Sequence, residues 1–435
     1  MLQVSPVQDL LLKVLPAQQI LPIEHWPAGL DSQVKAVCLD QIPAHLALPQ
    51  TTQELAAVMA LAHQQQWRIL VVGQGSKLSW GALAHKIDLV VSTQELNRLV
   101  DHAVGDMTVT VEAGMRFAKL QALLAQHNQW LPLDPTYPDQ ATLGGILSTR
   151  DAGSLRHRYG SLRDLCLGLS FVRSDGQIAK AGGRVVKNVA GYDLMKLFSG
   201  AYGTLGIVTE ITLRVYPLLE KTDTVLVSGS PATISALAQE LLQSTLTPVI
   251  LDIQANSQTE EMTLKAQFQS LPESVSAQIE RVQAMAKGRS LRVVAPEDDA
   301  QETALPNSIR CQVGVLSAEA VSSLAWFRQV AAEQNLSMQG KIYAGSGLGQ
   351  LHLTGHLTGD EAALDEAALK DVLRKWRSHC KASSGFLSIL EAPITLKQTL
   401  DAWGYSGNAL GAMRKLKEQF DPQGLLNPGR FVGGI

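Results

Sequence analysis

Three glycine-bearing phrases in the first half of the chain could do their chemistry through the main chain. The first follows an apolar run, Arg68 to Val72, and reads Gly73-Gln74-Gly75-Ser76-Lys77-Leu78. A glycine-rich loop leaving a buried strand can present successive N–H groups to a diphosphate. It is not a P-loop, because the GxxxxGK[ST] spacing is absent. It is not a GxGxxG fingerprint either, because Leu occupies position 78. An ordinary β-turn is the structural alternative. The second phrase, Ala141-Thr142-Leu143-Gly144-Gly145-Ile146-Leu147-Ser148, joins a helix-capping residue to small residues that let a ligand come near the backbone. The third lies within residues 182–217, where Gly200, Gly203 and Gly206 recur just before the β-branched run Ile207 to Leu213. Taken alone, it reads equally well as a tight sheet connection and as backbone packed on a flat ligand.

Side-chain candidates are fewer. Arg156-His157-Arg158 is the dense basic cluster of this half. It reads as a carboxylate clamp or partner contact, or else as a solvated loop. His352 and His356 would share one face of a strand, but no acidic residue accompanies them, so a packed or surface pair is expected and no metal site is assigned. Cys38, Cys166, Cys311 and Cys380 are scattered without a CxxC pair, which predicts buried, reduced thiols.

The elements that must position these groups follow from periodicity. Thr51 or Thr52 caps a helix running to Gln66, with Glu54 near its third position and Leu55, Val58, Met59 and Ala62 on one face. Strands are predicted at 68–72, 87–92, 108–114 and 165–172, and a helix at 116–126. Ser174-Asp175-Gly176 predicts a hairpin turn. A further strand is expected from Arg184 to Val189. Residues 1–40 read as an N-terminal arm of helical character broken by Pro16, Pro22 and Pro27. Residues 41–218 read as one domain of alternating strands and helices. Residues 219–400 read as a second α+β domain whose polar middle, Ser257 to Lys287, is expected to be helical and solvated. Residues 401–435 read as a segment returning to the first domain.

The totals bound the answer. A chain of 435 residues exceeds one compact core. A hydrophobic fraction of 46% with 18% charged residues is ordinary for a globular protein. A formal net charge of -3 argues against a nucleic-acid partner. No apolar run approaches the roughly 20 residues of a membrane-spanning helix. The N-terminus lacks a basic n-region and a small-residue cleavage site, so cytoplasmic residence is expected, any membrane association coming through partners.

Four phrases taken in order resemble the PCMH-type FAD-binding fold of the vanillyl-alcohol oxidase family. They are VVGQGSKLSWG (71–81), DPTYPDQATLGGILST (134–149), RYGSLRDLCLGLSFVRSDG (158–176) and GGRVVKNVAGYDLMKLFSGAYGTLGIVTEITLRVYP (182–217). FDPQGLLNPGRF (420–431) resembles the tail of the same proteins, whereas 219–400 is similar only loosely. Within the family, GGRVVKNVAGYDLMKLFSGAYGTLG resembles most the FAD-binding E-type subunits of glycolate oxidase.

The resemblance implies an α+β fold: a PCMH-type FAD-binding domain of two α/β subdomains, with a smaller α+β cap domain. It implies that Val72, Gly73, Gln74, Gly75, Ser76, Lys77 and Leu78 hold the FAD diphosphate. Pro135, Ala141, Thr142, Leu143, Gly144, Gly145, Leu147 and Ser148 would line its other side and the isoalloxazine. Gly153, Ser154, Tyr159 and Gly160 would lie along the same channel. Gly206, Ile207 and Val208 would meet the adenosine or flavin end through main-chain groups. Gln74, Lys77 and Trp80 depart from the family's smaller loop residues, and Ala201-Tyr202 stand where many members have Ser-Glu. The loop has no histidine of the tethering kind, so FAD is expected to be non-covalent. The family's His-rich, acid-rich metal phrase is absent, and no catalytic residue is assigned. The implied function is the FAD-binding subunit of a glycolate oxidase or dehydrogenase complex. It would oxidise glycolate to glyoxylate beside a catalytic flavin subunit and an iron–sulfur subunit that take the electrons. A stand-alone FAD-dependent 2-hydroxy-acid dehydrogenase and a non-catalytic flavin-fold scaffold are the alternatives.

Overall fold

The computed structural model describes residues 6–184, 191–295, 308–356 and 365–435. The chain forms two compact units. The first takes residues 1–153, 160–218 and 406–435, and the second takes 154–159 and 219–405. The run expected as a strand from Arg184 to Val189 falls, beyond Arg184, outside the described residues.

The first unit contains two main sheets. One joins β1 (Ile20–Pro22), β2 (His45–Ala47), β3 (Ile69–Val72) and β4 (Leu89–Ser92) in the order β1-β2-β4-β3. The pairs β2/β4 and β4/β3 are parallel. Both faces are covered, which is why these strands read as unbroken apolar runs. Ile69, Leu89 and Val91 pack with Leu11, Leu55, Val58 and Met59. Leu70, Val72 and Val90 pack with Trp26, Leu30 and Val34 on the other side. The helix Thr52–Gln65 starts where expected. Thr51 Oγ1 accepts from Glu54 N, and Glu54 Oε2 accepts from Thr51 N, a reciprocal capping box.

The first forty residues are not one broken helix. Among the described residues of that stretch only Pro6–Leu11 and Leu30–Lys35 are α-helical, and Ile20–Pro22 is the edge strand paired with β2. Pro22 suits an edge, where a missing N–H costs no ladder bond.

The other sheet is antiparallel, formed by β5 (Leu99–Ala103), β6 (Thr108–Glu112), β8 (Cys166–Val172), β9 (Ile178–Gly182) and β10 (Ile207–Arg214), in the order β5-β6-β10-β8-β9. A short β7 (Gln129–Trp130) pairs separately with β11 (Tyr216–Pro217). The β8–β9 hairpin turns at Gly176 (φ 84°) as its sequence requires. Val109, Val111, Leu169, Ile211 and Leu213 form a core with Leu120, Leu143, Ile146, Leu147 and Phe198 from neighbouring helices.

The C-terminal segment closes the free edge of β3. Ile69 N donates to Leu425 O at 2.7 Å, and Asn427 N donates to Ile69 O at 2.9 Å. Asp421 holds the turn by accepting from the N–H groups of Leu425 and Leu426 and from Lys417 Nζ.

The second unit is one antiparallel sheet of eight strands: β12 (Lys221–Gly229), β13 (Ile250–Asn256), β14 (Met262–Ser270), β15 (Arg292–Val294), β16 (Ile309–Gly314), β17 (Leu336–Tyr343), β18 (Leu348–His356) and β19 (Phe386–Glu391). Their order is β15-β12-β14-β13-β17-β18-β16-β19. One set of alternating positions is buried and apolar: Leu251, Ile253, Leu264, Leu351, Cys311 and Val313. The helices Pro231–Gln243, Pro272–Lys287, Ala320–Glu333 and Glu366–Ala382 pack on the sheet. The opposite positions are polar. Register places Asp252 beside Lys265 and Tyr343, Lys341 beside Gln350, and His352 beside Arg310.

The expectation of a helix throughout 257–287 is corrected here. Met262, Leu264, Ala266 and Phe268 are buried at every second position of β14, so a period of two prevails over a polar composition that suggested helix. The helix begins only at Pro272.

Candidate functional site

The first unit carries a cleft that is open to solvent. Its floor is the end of β3 and the loop that follows, Val71 through Leu78. Thr142, Gly144, Gly145, Ser148 and Thr149 line it from the helix Leu143–Thr149, and Gly206, Ile207 and Val208 from the start of β10. All seven loop residues anticipated from sequence are therefore at the cleft. So are Thr142, Gly144, Gly145, Ser148 and the three residues of β10.

The remaining anticipated residues lie elsewhere. Ala141, Leu143 and Leu147 face the core and are fully buried. Pro135 is buried and does not line the cleft. Gly153 packs on Asp134, and Gly160 on Asp164. Ser154 and Tyr159 group with the second unit, where Ser154 Oγ donates to Asp252 Oδ2 and Tyr159 OH donates to Gln269 Oε1. His157 lies in the same short segment, against Gly345. Burial, then the charge of Arg158, holds its ring below the ordinary histidine range.

Sequence reasoning assigned no cofactor contact to Thr93, Asn427 or Arg430, all of which line the cleft, as does Tyr202 from the Gly200–Gly206 turn. The tail phrase containing Asn427 and Arg430 was itself the available signal. Asn427 is a stitch: its Oδ1 accepts from Val71 N at 2.7 Å, and its Nδ2 donates to Tyr202 O at 2.6 Å. Gly203, at φ 69°, lies beneath it, and a Cβ there would come within 2.6 Å of Asn427 Nδ2. That position needs glycine on both counts.

The loop's electrostatics come from two buried cations. Lys77 Nζ pairs with Asp151 Oδ2 at 3.2 Å and donates to Thr136 O at 2.9 Å. Burial pushes the Asp151 carboxyl above its usual range, while Lys77 and the Thr136 hydrogen bonds oppose the rise. Arg430 is 3% exposed and donates to backbone carbonyls. Among the described residues no carboxylate pairs with it. The ionisable groups facing it are Tyr202 and Cys38, and burial lowers its pKa to about 10. Burial likewise raises the Tyr202 phenol.

The arrangement fits a diphosphate. Among the described residues nothing accepts from the N–H groups of Gln74, Gly75 or Ser76, three successive donors on the cleft. Consecutive free amides beside an unbalanced buried cation form an anion-binding concavity. Gly73 packs so closely on Thr142 that a Cβ would lie 2.4 Å from its Oγ1, and only Thr142 Oγ1 approaches a Cβ at Gly145. A flat group can thus come close to the main chain there.

Comparison with known proteins agrees. A family described as an FAD binding domain matches residues 43–182. Another, described as the C-terminal domain of FAD linked oxidases, matches residues 399–431. Residues 43–182 and 399–431 thus carry the two segments of an FAD-linked oxidase, an FAD binding domain and its C-terminal domain. Similar proteins include the glycolate oxidase subunit GlcD of Bacillus subtilis, 25% identical over 90% of this chain and 89% of that protein. The cytochrome-type mitochondrial D-lactate dehydrogenase of Arabidopsis thaliana is 34% identical over 40% of this chain and 30% of its own length. The D-2-hydroxyglutarate dehydrogenase of Xanthomonas citri is 35% identical, with 40% and 37% covered. The chain thus spans most of the first relative but only about a third of the other two. Solved structures share the α+β fold. The 4-ethylphenol oxidase of Gulosibacter chungangensis superposes with a TM-score of 0.75 at 14% identity, over 98% of both chains. An alkyldihydroxyacetonephosphate synthase superposes with a TM-score of 0.73 at 16% identity, over 99% of this chain and 86% of the other.

No cysteine takes part in the cleft. All four are free and buried, and burial raises Cys38 to about 11 and the others to about 12. Among the described residues no group of three or more His, Cys, Asp or Glu is placed to hold a metal ion, and no helix is long and apolar enough to cross a membrane.

Proposed function

We propose that this flavoprotein is the FAD-binding subunit of a glycolate oxidase or dehydrogenase complex, oxidising glycolate to glyoxylate and passing the electrons to partner subunits. The observation that carries the reading is the row of three unpartnered amides beside Arg430, in a chain similar over nine-tenths of its length to a glycolate oxidase subunit. The partners are a catalytic flavin subunit and an iron–sulfur subunit. The complex works in the cytoplasm, with any membrane association through those partners.

Bound FAD supplies the two-electron acceptor for the carbon that loses hydride. The chain's part is to hold it. The amides of Gln74, Gly75 and Ser76 face its diphosphate, and Gly145 leaves room for its ring system. No histidine in the loop Gly73–Leu78 could tether it, so the flavin is held non-covalently. A 2-hydroxy acid also needs a cation for its carboxylate and an acceptor for its hydroxyl proton. Taken by itself, the second unit carries side chains of both kinds on the polar face of its sheet. Arg310, side chain 2% exposed, stands 3.5 Å from Glu391, and Lys341, Gln350 and His352 lie on neighbouring strands. Those groups support a second reading, a stand-alone 2-hydroxy-acid dehydrogenase.

The test is to reconstitute the purified chain with FAD and compare glycolate, D-lactate and D-2-hydroxyglutarate as donors for dye reduction. The assay is run on the chain alone and on the assembly pulled from native extract. A yellow chain that turns over glycolate only in the assembly is expected. A chain that stays colourless sinks the flavin assignment, and turnover of any of these acids by the isolated chain moves the reading to the stand-alone enzyme.

A further inference from the structure

Arg430 lines the cleft, yet its hydrogen bonds run to the chain just beyond the glycine loop. Nη2 donates to Leu78 O and Trp80 O at 2.6 Å each, and Nη1 donates to Ala82 O at 2.7 Å. Three alternate carbonyls of one segment are gathered on a single guanidinium, across about 350 residues of sequence. Immediately upstream stand the three N–H groups that nothing in the described chain accepts from.

A planar fork with fixed donor directions suits this task better than an ammonium. A cation buried with only neutral acceptors is costly unless a negative charge completes its surroundings. Lys77 already has its anion in Asp151, whereas Arg430 has none among the described residues. The positive charge left over therefore sits on the tail side of the cleft.

We propose that Arg430 is the positioning residue of the diphosphate subsite. It pins residues 78–82 so that the amides of Gln74, Gly75 and Ser76 stay turned to the cleft, and its uncompensated charge is balanced by the bound diphosphate. This rests on the cleft being the FAD site. It goes further by making the tail, not the glycine loop alone, the element that confers affinity for the phosphate groups.

The probes are FAD and ADP, both carrying a diphosphate, titrated into the apo chain. Arg430→Met is expected to weaken both by about 10- to 100-fold, the scale of a lost charged hydrogen-bonding group. Arg430→Lys, which keeps the charge without the fork, is expected to recover only part of this. Methionine at 430 binding FAD and ADP within about twofold of wild type overturns the proposal, as does full recovery by lysine. If the methionine variant fails to fold, hydrogen exchange on the wild-type chain decides. ADP is expected to slow exchange at residues 74–82 together with 427–431, and slowing confined to 74–78 overturns the proposal. Should wild type itself bind neither FAD nor ADP, the cleft assignment falls, which is a different result from loss in the variants alone.

Discussion

The two units handle polar groups in opposite ways. In the first, the donors at the cleft belong to the main chain, and charged side chains stand behind them: Lys77 on Asp151, Arg430 on three carbonyls. In the second, the polar groups are side chains projecting from alternate positions of strands, such as Asp252, Lys341, Gln350 and Arg310. A site made of backbone depends on shape and tolerates many side chains. A site made of strand side chains depends on identity and can be rewritten one residue at a time. The first suits an invariant ligand and the second a variable one.

The sharpest way to break this contrast is to fill the backbone site. Gly145→Trp should fold, because only Thr142 Oγ1 lies near its Cβ, at 3.1 Å. The indole then occupies the cleft, and FAD affinity should fall roughly a hundredfold or more, the loss of several charge-assisted hydrogen bonds. Flavin absorbance after reconstitution and gel filtration measures it. A variant that stays yellow would show that the cofactor lies elsewhere.

Next in size is the support behind the loop. Lys77→Met leaves Asp151 buried without its cation and should destabilise the apo chain by about 3–5 kcal/mol, read from urea unfolding. Replacing both partners, Lys77→Met with Asp151→Leu, should recover most of that loss. The pH dependence has a definite sign. Burial holds the Asp151 carboxyl above its unfolded value, so its stabilising contribution is present at acid pH and is lost as pH rises through the folded value. Removing Lys77 raises that value further. The variant's deficit should therefore be small near pH 4 and grow toward neutrality; a pH-independent deficit would contradict the pairing.

The smallest effect belongs to the second unit. Gln350 is 5% exposed and its Oε1 has no partner among the described residues. Gln350→Leu should therefore leave stability unchanged or slightly raised. FAD affinity should stay fixed as well, because Gln350 belongs to the second unit and does not line the cleft. A change in FAD affinity would erase the distinction between the two polar sets.

The same contrast explains what could be read before the structure. Glycines at 73, 75, 144 and 145 point to a backbone-lined site only when the phrases are taken together, because each alone also fits an ordinary turn. The α+β class and the strands around β3 and β8 follow from short apolar runs and turn residues. Arg430 and Asn427 were less legible as contacts because their partners lie in another part of the chain, and no local period encodes a bond from Asn427 to Val71. In the second unit, β14 alternates cleanly but does so in glutamine, lysine and threonine on its polar side, which resembles a solvated helix until burial is known. Its polar face was invisible for the same reason, since register brings Lys341, Gln350 and His352 together and sequence alone does not.

The bond from Arg430 to Trp80 joins residues 350 positions apart, with the whole of the second unit's main segment threaded between them. Its consequence is one of order in time. Loop closure over such a separation comes after local pairing. The glycine loop can fold as soon as β3 and β4 meet, but its last wall arrives only after the inserted sheet has been synthesised. Flavin uptake is then a late step of biogenesis, and in a synthesis time course cofactor should appear after the second unit has become protease-resistant, not before.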